Sequence, residues 1–154
     1  MIVQLQVIIP EITLAALGCL VLLVDVFKKE KSNLTFWVAS LSVIIVALQV
    51  VAWRPEEPIY AFGSTFKLDQ VSTLLKLFIL LTGLGSFFYA NYYFDKFKHI
   101  QSEFYSLALF SVLGMLVLVS SHSLLTVYLG LELLSLSLYA MVAMDRDSKL
   151  AAEA

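Results

Sequence analysis

Five apolar runs separated by short polar breaks constrain this chain more than any motif in it. A helix needs roughly 20 apolar residues to cross the hydrocarbon core of a bilayer, and in lipid every backbone polar group must be satisfied within its own segment. The runs therefore predict an all-α, polytopic transmembrane helix bundle of about five helices, forming a single membrane domain over residues 1–154. The predicted spans are residues 5–27, 34–53, 70–94, 103–120 and 123–144. With 60% hydrophobic and only 14% charged residues, the chain has too little polar surface for a water-facing domain, so the lipid bilayer is an expected partner. A net charge of −2 without a basic or acidic tail excludes a nucleic-acid footprint.

The first run reads as a retained helix. No Lys or Arg precedes Lys28, the run is too long for the apolar core of a signal peptide, and Glu11 sits inside it. Lys28, Lys29, Glu30 and Lys31 then turn the chain into the second span, which ends at Trp53. Residues 54–68 contain Pro55, Pro58 and Gly63, and predict an ordered loop outside the membrane. Asp69 or Gln70 begins the third helix, whose aromatic cluster Phe87, Phe88, Tyr89, Tyr92, Tyr93 and Phe94 marks an interface. Residues 145–148 read as a turn and 149–154 as the start of a further helix, too short to stand alone, so the chain is expected to be the N-terminal piece of a longer protein.

Positively charged loops stay in the cytoplasm. Lys28, Lys29, Lys31, Lys96, Lys98, Arg146 and Lys149 fall on one side, and only Arg54 and Lys67 on the other. The expected orientation has the N-terminus and the proline-containing loop outside and the residue 154 end in the cytoplasm. Cys19, the single cysteine, lies in an apolar run and reads as a small hydrophobe.

Ionisable side chains inside spans are the candidates for chemistry, because charge is expensive there. Asp25 lies about one turn from the end of helix 1, within reach of Lys28 or Lys29, and reads as interfacial. Glu11, beside Pro10, either snorkels outward or pairs inside the bundle, and Lys76 is expected to snorkel to the headgroups. Glu132 lies near the centre of helix 5, too deep to reach either surface, so it must face protein or water. A central charge costs about 2.5 to 3.5 kcal/mol on insertion scales, which the eight leucines of this helix can offset.

Helical spacing puts Ser121, Tyr128, Glu132, Ser135 and Tyr139 on one stripe, and Thr126, Gly130 and Ser137 on a separate small-residue face suited to close packing. Two readings of Glu132 stand side by side. In one, moving a cation toward or away from a desolvated carboxyl drives proton uptake and release. In the other, a permanently protonated Glu132 bonds Tyr or Ser as packing glue.

Three segments carry a resemblance: Glu103-Phe104-Tyr105, then Ser120-Ser121-His122-Ser123-Leu124-Leu125, then Leu129-Gly130-Leu131-Glu132-Leu133-Leu134-Ser135-Leu136. Together with Ile9-Pro10-Glu11 and Leu23-Val24-Asp25-Val26-Phe27, they make the chain similar to the antiporter-like subunit N family of NADH:quinone oxidoreductase, respiratory complex I. The resemblance implies proton translocation coupled to NADH-driven quinone reduction, with the chain acting as part of an enzyme without redox chemistry of its own. It implies Glu132 as the proton-transfer residue, paired in the family with a lysine of the seventh helix, and Glu153 as the acidic residue opening the next helix. Glu153, Tyr128, Ser135, Tyr139, Lys76 and Glu11 are the expected supporting or proton-path residues.

No cofactor or metal is expected in this chain; NADH, FMN, iron–sulfur clusters and quinone would sit in other subunits. The implied partners are the antiporter-like M subunit and the small K and J type subunits, in a bacterial inner membrane. A cation/proton antiporter subunit and a structural membrane-packing subunit without transport activity are the alternatives.

Overall fold

A computed structural model describes residues 2–27, 34–55, 57–97 and 103–144. Among the described residues there are five helices, each long and apolar enough to cross a membrane: α1 (Ile2–Phe27), α2 (Leu34–Ala52), α3 (Gln70–Phe97), α4 (Glu103–Ser120) and α5 (Leu124–Ala143). The chain is a multi-pass membrane protein. Between α2 and α3 stand two short antiparallel strands, β1 (Ile59–Ala61) and β2 (Phe66–Leu68), paired Ile59 to Leu68 and Ala61 to Phe66. The predicted turn at Lys28, Lys29 and Lys31 lies outside the described residues, as do Lys98, Arg146, Lys149 and the predicted helix start at 149–154.

Helix α4 is the centre of the bundle and packs against α1, α2, α3 and, most extensively, α5. The core joins Leu14 and Val21 of α1, Val43 and Val46 of α2, Leu80 of α3 and Leu109 and Leu116 of α4, all buried. At the end of the bundle away from the strands, Phe36, Phe87, Phe94, Phe104 and Tyr105 meet edge to face. The aromatic run of α3 thus does two jobs: Phe87 is buried in the core, while Tyr89 and Tyr92 face outward. The helix also continues past Phe94 to Phe97.

Pro55 and Pro58 keep residues 54–68 from being helical, and the ordered loop expected there contains a two-stranded hairpin. Its turn holds Phe62, Gly63 and Ser64 at φ of 53°, 64° and 67°, a left-handed run of which only glycine adopts its share without strain. The hairpin covers one end of the bundle. Ala61, Phe66 and Leu68 pack on Val7 of α1, and Phe66 bridges to Ser121 in the link between α4 and α5. The backbone N–H of His122 donates to the Thr65 carbonyl at 2.9 Å, and Thr126 Oγ1 donates to the same oxygen at 3.2 Å. The hairpin is therefore tied to the link between α4 and α5 by main-chain contacts and to α1 by side-chain packing.

Candidate functional site

Helix α5 starts at a well-formed cap: Ser123 Oγ accepts from the Thr126 N–H at 3.2 Å. Its buried residues are Thr126, Gly130 and Ser137, the small-residue face expected from spacing. That face lies on α4 at Gly114, and the opposite face carries Tyr128, Glu132 and Tyr139, all exposed on the described chain, with Ser135 half-buried.

Ser121 does not join this stripe. It precedes the cap, bridges to Phe66 and donates from Oγ to the Leu118 carbonyl at 2.6 Å, so it finishes α4 and lies outside the α5 spacing. Ser135 Oγ donates to the backbone carbonyl of Glu132 at 3.1 Å and not to its carboxylate. Among the described residues no hydrogen bond reaches that carboxylate, so Tyr128, Ser135 and Tyr139 do not hold it as packing glue within this chain.

The second pair of candidates behaves differently from what each residue suggests alone. Lys76 Nζ and Glu11 Oε1 form an ion pair at 2.6 Å between α3 and α1, with Lys76 0% and Glu11 4% exposed. Lys76 does not snorkel. Its face of α3 is turned inward, continuing the buried Ser72 and Thr73, and meets the Glu11 carboxylate of α1. For Glu11 the pairing alternative is the one realised. Pro10, one residue earlier, deprives α1 of a backbone donor, and Thr13 Oγ1 donates to the Pro10 carbonyl at 3.0 Å and to Gln49 Oε1 of α2 at 2.7 Å.

Polar groups from three helices thus gather near the hairpin end of the bundle. Gln49, Thr13 and Thr73 were not singled out from sequence. Gln49 carried a signal, as the one amide within the second span.

Above this group lies a half-buried pair. Asp69 caps α3: its Oδ1 accepts from the Ser72 N–H at 2.7 Å, and its own N–H donates to Ser72 Oγ at 2.9 Å. Lys67 Nζ lies 2.7 Å from Asp69 Oδ2. The hydrogen bond from Lys67 and then that from the Ser72 backbone hold the Asp69 carboxyl down at about 2, and the same contact raises Lys67.

Asp25 is half-buried near the end of α1, while its expected partners Lys28 and Lys29 lie outside the described residues, as does Glu153. Cys19 is exposed on the outer face of α1. Among the described residues no group of three His, Cys, Asp or Glu side chains could hold a metal ion.

Fold and site define a polytopic helical membrane protein that keeps a buried ion pair and a separate mid-span carboxylate in its spans. The chain is similar over nearly its whole length to curated NADH-quinone oxidoreductase subunit N proteins. It is 44% identical to that of Nitrosomonas europaea over 94% of the chain, 40% to that of Thioalkalivibrio sulfidiphilus over 96%, and 41% to that of Coxiella burnetii over 95%. The chain spans 30 to 31% of the length of these relatives. No family model matches it.

Proposed function

We propose that this chain works as the first five membrane helices of a proton-translocating subunit N of NADH:quinone oxidoreductase. The observation that carries the reading is the likeness to that subunit across 94% or more of the chain in three bacteria, together with a mid-span glutamate on the face of α5 that the described helices leave open. A carboxylate at that depth requires a partner, and the remainder of a longer subunit is the natural source of a cation opposite Glu132. Electron transfer elsewhere in the complex then alters the surroundings of Glu132, and its carboxyl takes up or releases a proton as the cation withdraws or approaches. Tyr128, Ser135 and Tyr139 share its face and supply hydroxyls along the path.

Under this reading the chain holds no redox cofactor; NADH, FMN, iron–sulfur clusters and quinone belong to other subunits. Its neighbours are the M, K and J type membrane subunits. It lies in the bacterial inner membrane with the hairpin outside, as the excess of Lys and Arg in the opposite loops suggests.

The test uses inverted membrane vesicles from cells with and without the gene segment encoding this chain. Loss of NADH-driven proton uptake on removing it is the expected result. Unchanged NADH-driven uptake, or proton movement that follows a sodium gradient and ignores NADH, overturns the reading in favour of a packing subunit or a cation antiporter.

A further inference from the structure

We infer that the cleft between α2 and α3 is a binding site for one anionic phospholipid, with an acyl chain laid between the two helices and the headgroup phosphate held by Arg54. The inference needs only that the chain crosses a membrane, and it is independent of any role of Glu132.

The apolar part of the site lies at membrane depth. A cavity of about 390 Å3 opens between α2 and α3, and its walls include Val43, Ile44 and Leu48 of the one and Phe78, Leu81 and Leu84 of the other. From Val43 to Ala52, where α2 ends, a helix rises about 14 Å at roughly 1.5 Å per residue. That is close to one leaflet of a hydrocarbon core about 30 Å thick, so the cleft suits a single acyl chain running along the helices.

A second cavity, of about 500 Å3, continues the first. Leu74 and Leu77 line both, and the second reaches Arg54, Pro55 and Gln70. Trp53, just past the end of α2, places this end at the boundary between hydrocarbon and water. Arg54 is exposed there and makes no ion pair among the described residues. The Asp69 carboxylate at the start of α3 is already engaged by Lys67 and the Ser72 N–H. A guanidinium carries a planar fork of donors that fits two phosphate oxygens at once, and at headgroup depth the lipid phosphate is the anion that supplies them.

The walls of the cleft favour a lipid over a protein helix as its occupant. Helices associate in a membrane by close approach over small residues, as Gly114 and Gly130 do where α4 meets α5. This cleft is bulky instead. Leu48, Phe78 and Leu81 stand exposed along it, and Ala47 is the one small residue in its apolar wall among the described residues. A flexible acyl chain follows such a surface closely, whereas a rigid helix leaves gaps, and each gap forfeits dispersion contacts. The net negative charge of the lipid is set by Arg54, since the carboxylate beside it on α3 is neutralised by Lys67.

The test uses the detergent-extracted assembly that contains the whole subunit, reconstituted into phosphatidylcholine vesicles with a small fraction of phosphatidylglycerol bearing a photoreactive diazirine on one acyl chain. After illumination and digestion, the expected label lies on residues 43–48 of α2 and 78–84 of α3. Excess unlabelled phosphatidylglycerol displaces it, and excess diacylglycerol, which has the chains without the phosphate, does not. In Arg54→Gln the label should fall roughly tenfold, the order of losing charge-assisted hydrogen bonds, and Arg54→Lys should restore part of it. Equal displacement by both competitors, or equal labelling of Arg54→Gln and the natural protein, shows ordinary contact with bulk lipid and overturns the proposal. Absence of label from both segments of the natural protein shows that a protein helix covers the cleft, and overturns it as well. The competition needs no variant, so the proposal is tested even where Arg54→Gln fails to assemble. Because the labelling involves neither NADH nor proton movement, its failure is distinguishable from a failure of the pumping role assigned to Glu132.

Discussion

Gly114 of α4 and Gly130 of α5 oppose each other so closely that a Cβ on Gly114 would lie 2.9 Å from the Gly130 carbonyl oxygen and 2.8 Å from the Leu134 nitrogen. Both obstacles are backbone, so Gly114→Ala must push the two helices apart. Overpacking of this kind costs about 1 to 3 kcal/mol. The heat-denaturation midpoint of the solubilised assembly should fall for Gly114→Ala. Gly85→Ala on the open face of α3, where a Cβ meets nothing within 4 Å, should leave the midpoint unchanged or raise it slightly.

Breaking the Glu11–Lys76 pair from one side strands a buried charge. Lys76→Met or Glu11→Leu alone should each destabilise by about 3 to 5 kcal/mol, and the double replacement by much less. Denaturation of the four proteins in one detergent measures the coupling. Additive losses would mean that the two side chains do not interact in the folded bundle.

The Asp69 carboxyl, held at about 2 by Lys67 and the Ser72 N–H, gives the hairpin junction a pH dependence at its acid end. Its proton is bound less tightly in the folded than in the unfolded chain, so its stabilising effect is complete above the ordinary value of 3.8 and fades as pH falls toward about 2. Unfolding midpoints of the natural protein and Asp69→Asn should differ at neutral pH and converge over that interval. A constant gap would show that the ionised carboxylate is not the cause.

Thr126→Val removes the hydroxyl that joins α5 to the hairpin at the Thr65 carbonyl and to Ser123 Oγ at 2.8 Å. A hydrogen bond of this kind contributes about 1 kcal/mol. Amide exchange at Thr65 and His122 should quicken more than exchange at the middle of α4, because the loss is confined to the junction.

The five spans were legible because a bilayer imposes one length and one composition on every segment that crosses it. The packing face of α5 was legible too, since Thr126, Gly130 and Ser137 recur at helical spacing within a single element. The hairpin was not. Each strand has three residues, fewer than alternation needs to be seen, and the prolines beside them signalled only the end of a helix.

The meeting of Glu11 and Lys76 was also hidden, because periodicity speaks for one helix at a time and both residues read alone are compatible with snorkelling. What brings them together is the packing of α2 against both α1 and α3, a relationship between distant segments that no local pattern encodes. Ser121 illustrates the converse error: its spacing suited the α5 stripe, but the cap at Ser123 starts the helix after it.

The central claim is that the Glu132 carboxyl carries the proton. Its most direct measurement is NADH-driven proton uptake by membrane vesicles carrying Glu132→Gln, with quinone reduction recorded on the same preparation and assembly checked by the yield of the extracted complex. The account predicts that proton uptake and quinone reduction both fall while the complex still assembles. Uptake and turnover equal to those of the natural protein would contradict it, and α5 would then be a packing element whose outward glutamate is not required for transport.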